Sequence, residues 1–288
     1  MADEARDCIA PSEVAHGFSE KVMPVKAAYR KSKMFVLAIA AGAFIAFGAQ
    51  VSLTVTSGVA GTLGWGLAKL IGAMVFSAGL MMVVLTGAEL FTGNVMMMFS
   101  VLEKKISWLK LLRSWSIVYV GNFVGSMLLA LLVFCAALYQ NNGFDVGVNT
   151  LTNAHMKVNL SFAEAFARGV LCNWLVCLAV WMATSSKRVI GKIFAIFFPI
   201  MTFVASGYEH SVANMFFIPS GILLKSVPQV VAASHLGADV ASLSWGHFFL
   251  NNLLPVTIGN VVGALIFVVL LFWIAYLKDD HNNNNAND

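Results

Sequence analysis

Three ionisable side chains, Glu89, Glu209 and His210, stand deep inside apolar stretches of a 288-residue chain. A charge at the centre of a bilayer costs about 2.5–3.5 kcal/mol on insertion scales, so such groups persist where they are paired, neutralised or functional. Two strings hold them, GAELFTGN at 87–94 and GYEHSVAN at 207–214, and both read Gly-x-Glu-x-x-x-x-Asn. A carboxylate placed there can accept hydrogen bonds from the free N–H groups where a broken helix restarts. On that reading Glu89 and Glu209 tie the restarts, and Asn94 and Asn214 cap the same breaks. His210 differs, because Leu90 takes its place in the first string. A purely structural demand would appear in both copies. Imidazole changes charge near neutral pH, so His210 is the group to offer a proton or a hydrogen bond to a passing anion.

Other residues could share that work. Thr92 sits in the first string beside Gly93, where its hydroxyl could bond a permeant or hold the loop shut. Phe76, Leu80 and Phe203 could form apolar constrictions, although core packing would use the same residues. Lys157 precedes the fourth apolar run; it is either solvated surface or a group that draws anions to a pore mouth. Asn122, Asn173 and Asn260 are amides within apolar runs and need partners, in helix packing or along a pore.

The elements that must position these groups are membrane spans. Hydrophobic residues make up 59% of the chain and charged residues 11%, with a mean hydropathy of +0.81. A soluble domain carries about 25% charged residues, so the excess apolar surface needs lipid. Six runs are long enough to cross a bilayer: 34–57, 67–102, 115–138, 162–184, 193–224 and 248–277. An N-terminus inside puts fourteen Lys and Arg on the cytoplasmic side and leaves Lys69, Lys157 and Lys225 outside. Arg168 falls within the fourth run, four residues after Glu164, an order that suits a helical ion pair; the alternative is a role in attracting anions.

The second and fifth runs span 36 and 32 residues, and each contains one of the Gly-x-Glu strings near its middle. GNFVG at 121–125 in the third run is echoed by GNVVG at 259–263 in the sixth. Spans one to three thus repeat as spans four to six, and an odd number of crossings turns the second unit upside down. Inverted repeats with interrupted helices meeting near the midplane belong to transporters and channels. The expected fold is an all-α integral membrane protein of six spans, with the second and fifth broken. Residues 1–33 form a cytoplasmic N-terminal segment, 34–277 the channel domain and 278–288 an Asn-rich, disordered cytoplasmic tail.

Several function classes lack support. Cys8, Cys135, Cys172 and Cys177 show neither zinc spacing nor a disulfide framework, and packing accounts for them. The basic residues form no patch interleaved with aromatics, so nucleic acid is not a partner. No metal site, cofactor motif or nucleophile elbow supports a membrane enzyme built on Glu89, Glu209 and His210. No Asn-Pro-Ala pair marks a neutral-solute channel of the water or glycerol type.

With those residues in view, the chain resembles the formate/nitrite transporter family. The resemblance rests on GAELFTGNV, LCNWLVCLAVWM at 171–182, ASGYEHSVANMF at 205–216 and LLPVTIGNVVG at 253–263, and covers residues 25–278. It implies an aquaporin-like protomer with its own pore, assembled as a homopentamer in the cytoplasmic membrane. It implies that the break holding Leu90, Phe91 and Thr92 is a mobile loop gating the inner side, that Leu80, Leu90 and Phe91 line the inner constriction, and that Phe76 and Phe203 form the other. His210 would stand between them, with Thr92, Asn173, Glu209, Asn214 and Lys157 around the path. Family members carry formate, nitrite, hydrosulfide, lactate or acetate. Asn159 and Leu160 stand where members often have a histidine pair after the lysine. Cys172-Asn173-Trp174 is shared with nitrite members, while the long N-terminal segment and IPSGIL at 218–223 look more like formate members.

Overall fold

The computed structural model describes residues 7–278. The Asn-rich tail expected from 278 onward therefore lies almost wholly outside the described residues. Among those described, the architecture is helical. The N-terminal helix α1 runs over residues 11–27, with a wider turn at Gly17–Val22. Five helices are long and apolar enough to cross a membrane: α2 (Lys31–Thr56), α3 (Trp65–Thr86), α5 (Trp108–Cys135), α7 (Phe162–Ser185) and α10 (Trp245–Tyr276). Three shorter apolar helices accompany them: α4 (Phe91–Leu102), α8 (Val189–Ala205) and α9 (Ser211–Leu224). Helix α6 (Asp145–Val158) precedes α7.

Both overlong runs are broken, and by the same backbone device. Helix α3 ends at Gly87 (φ 73°), whose N–H returns to Val83 and Val84, while the N–H of Ala88 reaches the Val83 carbonyl at 3.0 Å. Helix α8 ends before Gly207 (φ +75°), and the N–H of Tyr208 reaches the Phe203 carbonyl at 3.1 Å. These are Schellman-type endings, in which a left-handed residue lets the chain turn back on the last carbonyls and only glycine does so without steric cost. The chain then runs extended to Leu90 (φ −105°, ψ 126°) and to His210 (φ −108°, ψ 117°), where α4 and α9 begin.

Helix α2 packs on α5, and α7 on α10, through glycine contacts. A Cβ at Gly125 would run into the Ile39 carbonyl, and one at Gly263 into the Val170 carbonyl. The second glycine of each echoed GN-x-x-G string is thus a close-approach point, as membrane helix pairs use small residues. Large apolar side chains such as Val36, Leu132, Phe198 and Leu250 face outward, more than half exposed.

Two sequence expectations shift. The third run begins at Trp108 rather than at Trp115, because Ser107 caps the helix by accepting from the Lys110 N–H, and the helix carries Lys110 and Arg113 beyond the apolar stretch. The N-terminal segment set apart at residues 1–33 packs, where it is described, against the helices that follow it. Phe18 of α1 is 1% exposed and stacks on Phe99 and Trp181 at ring-centroid distances of 6.2 and 5.6 Å. The Ser100 hydroxyl donates to the Ser19 carbonyl at 2.7 Å, joining α4 to α1.

Candidate permeation site at the paired helix breaks

Each break is held by an asparagine on a neighbouring helix. The Asn122 amide on α5 donates to the carbonyls of Ala38 (2.8 Å) and Glu89 (2.9 Å), and its Oδ1 accepts from the Phe91 N–H at 2.9 Å. Asn260 on α10 does the same in the other half. It donates to Gly169 (2.8 Å) and Glu209 (2.9 Å) and accepts from the Ser211 N–H at 2.9 Å. The break backbone closes against the adjacent long helix in both halves, from Glu89 N to Leu37 O and from Glu209 N to Arg168 O, each at 3.2 Å. Non-helical backbone at this depth must be satisfied by protein, and one amide meets two of its needs while its third bond anchors it to the adjacent long helix.

This arrangement corrects the role expected for the glutamates and for Asn94 and Asn214. The restarting N–H groups of Phe91 and Ser211 go to asparagine amides, which leaves the carboxylates free for side-chain partners. Glu89 accepts from Asn94 Nδ2 at 2.7 Å and lies 3.2 Å from Lys26 Nζ of α1. Glu209 accepts from Asn214 Nδ2 at 2.6 Å and pairs with Lys157 Nζ of α6 at 2.7 Å. Asn94 and Asn214 therefore orient carboxylates instead of capping helices. Lys26 was legible only as one more cytoplasmic cation, since its partner lies 63 residues away along the chain. Asn252 was also missed: it donates to the Lys157 carbonyl at 2.9 Å and accepts from Asn214 at 2.7 Å.

Thr92 and His210 meet where the breaks face each other. Thr92 Oγ1 and His210 Nε2 are 2.9 Å apart, both residues buried. His210 is the N-cap of α9, and its Nδ1 accepts from the Ala213 N–H at 3.1 Å. An Nδ1 that accepts carries no proton, so the neutral ring holds its hydrogen on Nε2 and presents it toward Thr92. The Thr92 carbonyl is held in turn by Asn173 Nδ2 at 3.2 Å and by the Cys177 thiol at 3.4 Å. Asn173 also donates to the Asn260 carbonyl at 2.8 Å.

On one side of His210 opens a cavity of about 670 Å³. Phe76, Phe203 and His210 line it, together with Lys157, Glu209 and Asn214. Phe76 meets Phe203 edge to face at 5.7 Å, and Phe203 lies 6.1 Å from the His210 ring. Lys69 and Arg168 line the same cavity. The ion pair expected between Glu164 and Arg168 does not form: the Glu164 carboxylate accepts from the Ser161 N–H (2.9 Å) and hydroxyl (2.7 Å) in a capping box that starts α7. Lys157 is not solvated surface; its side chain is 13% exposed and salt-bridged.

Leu80, Leu90, Phe91 and Thr92 are buried beyond the cavity lining. Phe91 packs edge to face on Tyr119 at 4.8 Å and on Trp115 at 6.0 Å. Asn173 is fully buried and likewise outside the lining. The site therefore consists of a cavity lined by three cations and one carboxylate, an aromatic pair, a threonine–histidine hydrogen bond and a set of buried apolar side chains.

Known proteins resemble this chain along most of its length. The chain is 39% identical over 285 residues to "Formate channel FocA" of Escherichia coli (strain K12), with 98% of this chain and 99% of that protein covered. It is 42% identical over 294 aligned positions to the "Probable formate transporter" of Methanothermobacter thermautotrophicus, covering 96% and 97%. The solved structure "Pentameric formate channel with formate bound" superposes with a TM-score of 0.77 at 39% identity, covering 86% of this chain and 98% of that one. A second, "FNT family ion channel", gives 0.70 at 28% identity, covering 92% and 95%. The family model described as "Formate/nitrite transporter" matches residues 13–274, and the chain belongs to that family.

Proposed function

We propose that this protein is a channel that passes formate, or a similar small monovalent anion with a proton, across the cytoplasmic membrane. Nitrite or hydrosulfide is the nearest alternative cargo, followed by lactate and acetate. The observation that carries this reading is the Thr92–His210 hydrogen bond at 2.9 Å, buried between the two breaks and behind the aromatic pair. The names of its relatives, formate channels and a probable formate transporter, support transport over catalysis.

The membrane arrangement follows from the same observations. Helices α2, α3–α4 and α5 make three crossings, and α7, α8–α9 and α10 make three more as an inverted copy, giving an aquaporin-like protomer with both termini cytoplasmic. The matched Asn122 and Asn260 networks support the repeat, since identical bonds hold both breaks. A homopentamer, each protomer with its own pore, is inferred from the pentameric relative.

In the mechanism, the basic chamber raises the local anion concentration. Moving toward Phe76 and Phe203, the anion loses water, and desolvation raises its proton affinity. The Nε2–H of His210, shared with Thr92, gives the arriving oxygen a hydrogen bond. A near-neutral species then passes Leu80, Leu90 and Phe91. The bond from Ala213 N–H to Nδ1 favours donation of a hydrogen bond over transfer of the ring's own proton, because an imidazolium would set two N–H groups against each other. Uptake of formate, nitrite, hydrosulfide, acetate and lactate into proteoliposomes at two pH values tests the reading. Failure of all five to enter faster than in empty liposomes would overturn it.

A further inference from the structure

The chamber outside the aromatic pair holds more positive charge than the transport reading uses. Lys69, Lys157 and Arg168 line it, and Glu209 is the one carboxylate in its lining. Lys157 is already matched, with Glu209 Oε1 at 2.7 Å. Among the described residues neither Lys69 on α3 nor Arg168 on α7 forms a salt bridge; Glu209 and Glu164 act on them only at longer range, and both side chains are half-buried at the cavity wall. Lys69 lies within electrostatic range of both Arg168 and Lys157. Three cations against the single Glu209 carboxylate, in a chamber walled by low-dielectric protein, leave a focused site of about two positive charges.

We infer that Lys69 and Arg168 form an anion-binding station in the outer chamber that takes small dicarboxylate dianions and holds them short of the pore. The planar guanidinium of Arg168 suits one carboxylate in a two-point contact, and Lys69 serves the second as a compact charge. Asn153 lines the same space, whereas the Asn149 amide is engaged by Leu53, Thr56 and Ser57. A dianion held here goes no further. It would have to shed the hydration of two charges at Phe76 and Phe203, where one hydrogen bond from His210 cannot compensate. The bound dianion therefore blocks the smaller anion that follows it.

The blocking consequence rests on the transport reading, whereas the binding site does not. Oxalate is the probe, with acetate as the single-charge control. Calorimetric titration of the detergent-purified protein should show saturable oxalate binding. Arg168→Gln should weaken it by about ten-fold or more, and added salt should weaken it further. In proteoliposomes oxalate should inhibit formate uptake in the wild type without itself entering, and Arg168→Gln and Lys69→Gln should both relieve that inhibition. Acetate should show no comparable dependence on Arg168. Oxalate binding that is lost in Arg168→Gln, in a protein that carries none of the five small anions, would support the station and sink the transport reading. Formate transport with no oxalate heat, or with equal oxalate affinity in wild type and a correctly folded Arg168→Gln, would overturn the station alone.

Discussion

His210 Nε2 and Thr92 Oγ1, 118 residues apart in sequence, meet at 2.9 Å, each in or beside the first turn of a restarted helix. One residue comes from each half of the molecule, so the contact exists only when both breaks face each other. Removing either partner leaves the other buried and unmatched, which typically costs about 1–3 kcal/mol.

His210→Phe keeps the ring volume and removes the Nε2–H. Uptake of formate into proteoliposomes should fall by about ten-fold if one hydrogen bond of that strength is lost from the crossing barrier. In the wild type, uptake should rise as external pH falls, because more of the substrate arrives protonated. The variant should keep that pH dependence, which belongs to the substrate, at a lower rate throughout, and uptake equal to wild type at every pH would remove the imidazole from the mechanism.

Lys157→Met leaves Glu209 nearly buried without its cation, and Glu209→Gln leaves the lysine without its anion. Each single change should destabilise the protein by about 3 kcal/mol, the range seen when one member of a buried pair is removed. The double variant should recover part of the loss. Denaturation midpoints of the four proteins form the cycle, and additive losses would show that the 2.7 Å pair contributes no coupling.

Asn122→Leu and Asn260→Leu each remove three matched hydrogen bonds and orphan the same backbone groups. Their losses in thermal stability should be similar to each other and large, at about 3 kcal/mol or more. A mild effect at one site and a severe one at the other would contradict the equivalence of the two breaks.

Phe18→Ala empties a buried site among Phe99 and Trp181 and should cost about 3–5 kcal/mol. Because α1 is a terminal element, the loss should appear as local undocking. Trypsin should then cut at Lys21 or Lys26 faster than in the wild type while the remaining helices resist. Unchanged cleavage would show that other contacts hold α1 in place.

Much of the architecture was legible without coordinates. Apolar run length requires a bilayer, and GAELFTGN and GYEHSVAN marked both interruptions to within a residue or two, because glycine and an ionisable side chain are costly inside an unbroken span. His210 stood out by its asymmetry with Leu90 for the same reason. Partnership was another matter. The sequence paired Glu164 with Arg168 because helical spacing is local, yet the structure turns Glu164 to the Ser161 cap and Arg168 to the cavity. Lys26 with Glu89, Lys157 with Glu209 and the asparagines that bridge each break are contacts between elements distant along the chain. Residue types and spacing determined where the helices must break, since that depends on local backbone chemistry. Which group satisfies each broken end was decided only by tertiary packing, since a hydrogen bond reaches about 3 Å and the fold alone sets which atoms come that close.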